Sequence, residues 1–268
     1  MRVYFFANDR KPEALAAADR IASRVAGLGL AVSHSPERSD AIVALGGDGT
    51  ILRVAHMYPG VPVLGFNLGG LGYLSSVGPD EFDRALSLLA AGRFRVGERS
   101  MLRAAKRGEP GREVLALNDI AVMREMSGHA AVLDLEADGR PATRYMADGL
   151  VIATPTGSTA YSLSAGGPVL MADSASFVVT PMNPHALAVR PTVVGDRVRL
   201  SVSSRRRVNG EAEKIGVYAD GESVFALDVD ETLDVSKAPV GAKMIELEGY
   251  DPYEVLSRKL GWSGGETR

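Results

Sequence analysis

Three short stretches of this 268-residue chain combine glycines with side chains that can handle phosphate or hydroxyl groups. The first is Gly46-Gly47-Asp48-Gly49-Thr50, which follows the apolar run 41–45 and precedes a helical pattern over 50–57. Glycines let a ligand approach the backbone amides closely, and these amides together with a helix N-terminus favour a bound phosphate. The stretch has no lysine at the position that a P-loop requires, so a P-loop is excluded.

The carboxylate of Asp48 is the unusual member of this loop. A negative charge beside phosphates is unfavourable unless it accepts a proton or holds a metal ion, and both roles suit phosphoryl transfer to a hydroxyl group. A tight strand-to-helix turn in which Asp48 caps the helix fits the same five residues. The pentapeptide alone does not decide between these two interpretations.

The second and third stretches are polar turns beside β-rich segments. Asn118-Asp119 places an amide beside a carboxylate, which can grip vicinal hydroxyl groups, although such a pair on its own is usually a turn. The third stretch, residues 148–168, contains Pro155-Thr156-Gly157-Ser158-Thr159 and then Tyr161, which can stack on a flat ring. Its many small residues bury little surface, which favours the close approach of a ligand.

The segments that must position these stretches change in character after Phe94. Before it, strand patterns alternate with helical ones, which predicts an α/β layer with a parallel sheet. After it, short alternating or β-branched runs separated by turns such as Asp138-Gly139 and Asp220-Gly221 predict an antiparallel, mostly β domain. A last helix is expected from Asp251 through Leu260, followed by a frayed tail over 263–268.

Composition narrows the class of protein. With 30 basic and 33 acidic residues the formal net charge is -3, which argues against a nucleic-acid partner. Cysteine is absent, so disulfides, zinc–thiolate sites and a cysteine nucleophile are excluded, and the four histidines show no metal-ligand spacing. There is no signal-peptide pattern and no apolar run of the roughly 20 residues that span a bilayer, so we expect a soluble, cytoplasmic protein without a membrane partner.

Taken together and in this order, the three stretches closely resemble the motifs of the NAD kinase family. The resemblance runs from about Ala41 to Leu227. The first motif is weak alone, because lipid kinases and phosphofructokinases share versions of it, whereas the third is specific. The resemblance implies an α/β N-terminal domain with a parallel sheet plus a mostly-β C-terminal domain. We place the first domain at 1–93, completed by a C-terminal helix in 248–268, and the NAD-binding domain at 94–247.

The resemblance also implies an activity: phosphorylation of the 2′-hydroxyl of the adenosine ribose of NAD, giving NADP. It implies ATP or polyphosphate as donor, Mg²⁺ or another divalent metal as cofactor, and a homodimer or homotetramer. The catalytic base falls on Asp48, and no side chain is assigned as a metal ligand. Contacts with NAD or ATP fall on further residues: Gly47, Gly49, Arg53, Asn118, Asp119, Asp148, Thr159, Ala160, Tyr161, Ser162, Leu163, Ser164 and Glu222.

Two positions depart from the family pattern. Many members have a basic residue where this chain has Met146, and many bacterial members have glutamine where it has Glu222, which cannot donate as an amide does. Two other interpretations remain open at this point. A lipid or sphingoid kinase shares the first motif and a β-rich second domain, and a catalytically silent NAD-binding regulator would share the third motif.

Overall fold

The computed structural model describes residues 1–7, 12–69, 72–75, 77–109, 111–125, 129–207, 210 and 213–262. The tail 263–268, for which fraying is predicted, lies outside the described residues. The chain forms two compact units, Met1–Glu98 with Ala242–Arg268, and Arg99–Gly241. The division at 93/94 and 247/248 stays a prediction about independently folding domains.

The first unit is built on one six-stranded sheet. Its strands in spatial order are β2 (Ala31–Val32), β1 (Arg2–Ala7), β3 (Ala41–Leu45), β4 (Val63–Phe66), β18 (Ala242–Leu247) and β5 (Phe94–Arg99). The pairings β2–β1, β1–β3, β3–β4 and β4–β18 are all parallel. Residues of β3 alternate between two apolar clusters, with Val43 in one and Ile42 in the other, so the sheet is buried on both faces.

The described residues of this unit form four α-helices: α1 (Pro12–Val25), α2 (Asp48–Met57), α3 (Phe82–Ala90) and α5 (Pro252–Leu260). Local signals account for the ends of α5. Asp251 caps its first turn by accepting the amide of Tyr253 at 2.8 Å, and Gly261 ends it with a φ of 65°. No helix among the described residues has the length and apolar content needed to cross a bilayer.

In the second unit, the part of the chain that the structure describes forms two antiparallel six-stranded sheets. The first runs β10 (Arg140–Ala147), β9 (Ala131–Ala137), β14 (Leu200–Arg205), β17 (Thr232–Lys237), β6 (Leu102–Lys106) and β7 (Glu113–Ala116). The second runs β13 (Thr192–Gly195), β12 (Ser176–Met182), β11 (Gly149–Ala153), β8 (Asp119–Arg124), β15 (Ile215–Ala219) and β16 (Glu222–Leu227). One apolar cluster takes residues from both sheets, such as Leu133 and Ile152, which is the packing of a sandwich.

The predicted fold class is confirmed: a parallel sheet lies in the N-terminal part and an antiparallel β domain follows it. A short helix, α4 (Tyr161–Ser164), follows β11 after a 3₁₀ turn at Gly157–Thr159. Both elements belong to the third motif, which is therefore held against the second sheet of the second unit.

Candidate active site

The glycine-rich loop after β3 ends in the first residue of α2. The N-cap is Gly47, and Asp48 is already helical, so the interpretation of Asp48 as helix cap is wrong. Its carboxylate accepts hydrogen bonds from residues 73–75 and makes no cap bond to the first turn of α2. A Cβ on Gly46 would lie 2.2 Å from the Thr50 Oγ1 atom, so this position requires glycine.

The Asp48 carboxylate is held by a second loop of the same unit. Its Oδ2 atom accepts the amide of Tyr73 at 2.7 Å. Its Oδ1 atom accepts the amides of Leu74 and Ser75 at 3.1 and 3.0 Å and the Ser75 hydroxyl at 2.9 Å. Four donors from the described part of the loop therefore orient this half-buried carboxylate at the N-terminus of α2.

Gly72 makes this arrangement possible. A Cβ there would lie 1.9 Å from both Asp48 Oδ1 and Ser75 Oγ. The glycine-dense segment 67–73 lacks the G-x-G-x-x-G order of a Rossmann fingerprint, and its sequence suggested only a wall of the NAD site, so the contacts of Gly72 and of the donors at 73–75 were missed. The glycine density was the available signal. Burial and the Asp48 charge raise the pKa of Tyr73, and the Lys259 ammonium of α5 lies 5.4 Å from its ring centre.

The other predicted residues of the first unit surround this loop. Gly47 is half-buried and Gly49 is exposed at the start of α2. Arg53 is exposed, and its guanidinium carbon lies 5.8 Å from the ring centre of Phe6 on β1.

In the second unit, Asn118 and Asp119 form the turn that leads into β8. Asp119 is 5% exposed. Burial and the nearby charge of Asp220 raise the pKa of the Asp119 carboxyl to about 7. Asp220 accepts the backbone amides of Leu117, Asn118 and Asp119 at 2.7–3.0 Å, a contact that sequence reasoning missed.

The third motif packs directly on this turn. Thr154 donates its hydroxyl to the Leu117 carbonyl at 2.6 Å and its amide to the Asn118 carbonyl at 2.9 Å. A Cβ on Gly157 would lie 2.0 Å from the same Asn118 carbonyl oxygen, so only glycine permits the contact. The structure thus brings Asn118, Asp119 and the third motif together.

The residues of the third motif differ in what they expose. Tyr161 is 42% exposed, and burial together with the charges of Asp119 and Asp148 raises its pKa. Ser162 is fully buried, with its hydroxyl 2.8 Å from that of Thr180, so it fixes α4 to β12. The remaining four predicted contacts, all half-buried or exposed, are Thr159, Ala160, Leu163 and Ser164.

Asp148 lies at the start of β11 between two donors. Asn183 donates its amide at 2.9 Å and Arg124 its Nε at 2.7 Å, and these hydrogen bonds lower the pKa of the Asp148 carboxyl. Met146 is 45% exposed and supplies no charge, whereas the Arg124 guanidinium contacts the Asp148 carboxylate. Glu222 is exposed at the first position of β16, opposite Ala219.

The described residues contain no group of three or more His, Asp or Glu side chains placed to hold a metal ion. Mg²⁺ needs no such cage, because it is commonly bound by one or two carboxylates plus substrate phosphates. Among the described residues only Tyr73 donates to the Asp48 Oδ2 atom, so this oxygen keeps one acceptor position open.

Two family models match this chain in the order of its two units. The ATP-NAD kinase N-terminal domain matches residues 28–94, and the ATP-NAD kinase C-terminal domain matches residues 117–247. The chain belongs to the ATP-NAD kinase family. It is thus a kinase, a transferase of phosphoryl groups, and the resemblance seen in its motifs is confirmed.

Curated relatives and solved structures agree with this assignment. The NAD kinase of Symbiobacterium thermophilum is 36% identical over 276 residues, covering 94% of this chain and 96% of that protein. The NAD kinase of Gemmatimonas aurantiaca is 39% identical over 230 residues, covering 84% and 78%. Yeast NADH kinase complexed with NADH superposes with a TM-score of 0.84 at 26% identity, covering 99% of this chain and 89% of that one. An NAD kinase from Archaeoglobus fulgidus in complex with ATP superposes with a TM-score of 0.78 at 29% identity, covering 98% of this chain and 100% of that one.

Proposed function

We propose that this kinase transfers the terminal phosphoryl group of ATP or polyphosphate to the 2′-hydroxyl of the adenosine ribose of NAD, giving NADP. The observation that carries the proposal is the Asp48 carboxylate, placed at a glycine-lined helix N-terminus and oriented by three amides and one hydroxyl. The same helix N-terminus and the glycine amides favour the phosphates of the donor.

The distribution of donors on Asp48 suggests which oxygen reacts. A carboxylate offers about four acceptor positions, two on each oxygen. Of the described donors, three contact Oδ1 and one contacts Oδ2, so we infer that Oδ2 keeps a position for a substrate hydroxyl. As the ribose oxygen forms its bond to phosphorus, its proton passes to Oδ2, and the bond from phosphorus to the leaving oxygen of the donor breaks.

We assign binding of the NAD acceptor to the second unit. Asn118 and Asp119 would hold ribose hydroxyls, since an amide both donates and accepts while a carboxylate accepts. Tyr161 would stack on a ring of the dinucleotide. Contacts along Thr159–Ser164 and at Asp148 and Glu222 complete the proposed site, and Gly47, Gly49 and Arg53 are proposed to contact the nucleotide from the first unit.

A divalent metal would be held by the phosphate oxygens of the donor, and it would neutralise the charge of the transferred phosphoryl group. A cytoplasmic location and a homodimer or homotetramer are also part of the proposal. The edge strand β13 supports self-association, because its Val193 is 49% exposed. Light scattering that shows only monomers at assay concentrations would contradict the oligomer.

The test is NADP formation with Asp48→Asn, which keeps the shape of the side chain and removes the base. We expect kcat to fall by about 10²–10⁴-fold, the usual contribution of a general base. The matched control is Asp83→Asn in the first turn of α3, where an exposed carboxylate pairs with Arg24. Its kcat should stay within about twofold of that of the unmodified enzyme, because a surface ion pair contributes little.

Three outcomes would contradict the proposal. Asp48→Asn activity within a few-fold of the unmodified enzyme would refute the base. NAD binding by calorimetry without NADP formation under excess Mg-ATP would favour the silent regulator. Phosphorylation of a diacylglycerol in place of NAD would favour the lipid kinase. The position of the new phosphate on the ribose is read from phosphorus–proton coupling in the product.

A further inference from the structure

Asp220 occupies the tip of a two-residue hairpin beside the Asn118–Asp119 turn. The hairpin joins β15 to β16, and its central residues, Asp220 and Gly221, have φ values of 48° and 87°. Both φ values are positive, as in the two-residue type I′ hairpin turns that favour an Asp-Gly pair. Because β15 pairs with β8, with Ala219 opposite Ile120, the tip lies beside the beginning of β8.

The Asp220 carboxylate gathers three consecutive backbone amides. Oδ2 accepts from Leu117 at 2.8 Å, and Oδ1 accepts from Asn118 at 2.7 Å and from Asp119 at 3.0 Å. The Asp220 amide donates in return to the Asp119 carbonyl at 3.0 Å. Charge-assisted bonds of this kind are stronger than bonds between neutral groups, so the turn is fixed in one conformation.

This arrangement separates the roles of two neighbouring carboxylates. The amides of the turn are all directed to Asp220, whereas the Asp119 carboxylate, nine-tenths or more buried, receives no hydrogen bond from the described residues. Burial and the Asp220 charge also raise the pKa of Asp119. The lone pairs of this carboxylate are therefore available to a ligand, and ribose hydroxyls are suitable donors.

We propose that Asp220 is a positioning residue for the acceptor substrate, which fixes the backbone of Leu117–Asp119 so that the Asn118 and Asp119 side chains meet the ribose hydroxyls of NAD. The inference rests on the proposed function. It assigns Asp220 no contact with NAD and no proton transfer. Its effect is therefore expected on the Michaelis constant for NAD and not on that for ATP.

The test is a steady-state comparison of Asp220→Asn with the unmodified enzyme. The amide oxygen can replace Oδ1, but the amide nitrogen then faces the Leu117 N–H in place of Oδ2, so one backbone donor loses its acceptor. We expect KM for NAD to rise about tenfold, with KM for ATP within about twofold. The control is Asp138→Asn, in the Asp138-Gly139 hairpin with φ values of 50° and 74°, where the carboxylate accepts the single amide of Arg199.

Two results would overturn the inference. One is a KM for NAD that is unchanged in Asp220→Asn, or that rises equally in Asp138→Asn. The other uses the unmodified enzyme and so does not depend on folding of the variant: the amides of Leu117, Asn118 and Asp119 should exchange slowly with solvent before NAD is added, and rapid exchange would contradict the three hydrogen bonds. Failure of the proposed function is distinguishable, because the unmodified enzyme would then form no NADP.

Discussion

Gly72 offers the sharpest test of how Asp48 is held. Replacing it with alanine adds one methyl group beside the two atoms of the hydrogen bond from Ser75 Oγ to Asp48 Oδ1. The new Cβ would lie 1.9 Å from Asp48 Oδ1, 1.9 Å from Ser75 Oγ and 2.7 Å from Asp48 Cγ. Ser75 is fully buried, so its packed neighbours oppose its withdrawal and we expect the carboxylate to move.

The size of the effect follows from these distances. Real Cβ atoms essentially never come within 3.0 Å of such a neighbour, so a contact of 1.9 Å requires a shift of more than an ångström. A catalytic group misplaced by about 1 Å can cost about 10²-fold in rate. The shift would also break hydrogen bonds from Tyr73, Leu74 and Ser75, which now measure 2.7–3.1 Å. We therefore expect kcat of Gly72→Ala to fall about 100-fold.

The assay is NADP formation at saturating NAD and ATP, with a thermal melt to confirm that each variant is folded. Gly69→Ala is the matched control from the same loop region. A Cβ at Gly69 would meet no atom within 4 Å, and its amide keeps the bond to Asn67 Oδ1 at 2.8 Å. Folded Gly72→Ala with a kcat within about threefold of the unmodified enzyme would refute the assignment of Asp48, since a displaced base cannot act with full efficiency.

Two further predictions concern the second unit. Gly157→Ala should lower the free energy of unfolding by about 1–3 kcal/mol, because its Cβ would meet the Asn118 carbonyl oxygen at 2.0 Å, and should raise KM for NAD. Urea unfolding measures the first effect, and equal stability of Gly157→Ala and the open-site control Gly195→Ala would contradict it. The Asp119 carboxyl, with a pKa raised from 3.8 to about 7 beside Asp220 and Tyr161, favours folding below pH 3.8, and this stability is lost as pH rises through 7. The free energy of unfolding of Asp119→Asn, taken relative to that of the unmodified protein, should therefore increase by about 2–3 kcal/mol when the pH is raised from 5 to 8. A gain that is independent of pH would show that the carboxyl titrates normally.

Elements with local signals could be predicted from the sequence. Pro12 at the start of α1 and Asp251 at the cap of α5 mark helix boundaries that the structure reproduces. The strands β5 and β18 could not be assigned in this way. β18 reads Ala242-Lys-Met-Ile-Glu-Leu247, and its place between β4 and β5 depends on pairing with strands far away in the chain. No local pattern records such a pairing.

The same distinction holds for the candidate site. Residue types at motif spacing predicted Asp48, the Asn118–Asp119 pair and Tyr161 as site residues, and their roles stay predictions. The groups that orient them are invisible to that reasoning, because Asp48 meets Tyr73 across 25 positions and Leu117 meets Asp220 across 103. The Asp48 helix-cap interpretation was wrong for a related reason, since the residue preceding a helical pattern was known only to within a position or two.

The chain order of β18 has a consequence for biosynthesis. A ribosome releases β1 to β4 early, yet the strand that lies beside β4 is made only after the whole of residues 99–241. At a synthesis rate of about 5–20 residues per second, the edge of β4 in the nascent sheet that carries Asp48 stays unpaired for on the order of ten seconds. The contiguous second unit can meanwhile fold completely. A premature stop codon just before Ala242 would thus leave the second unit complete and the first unit without its C-terminal segment.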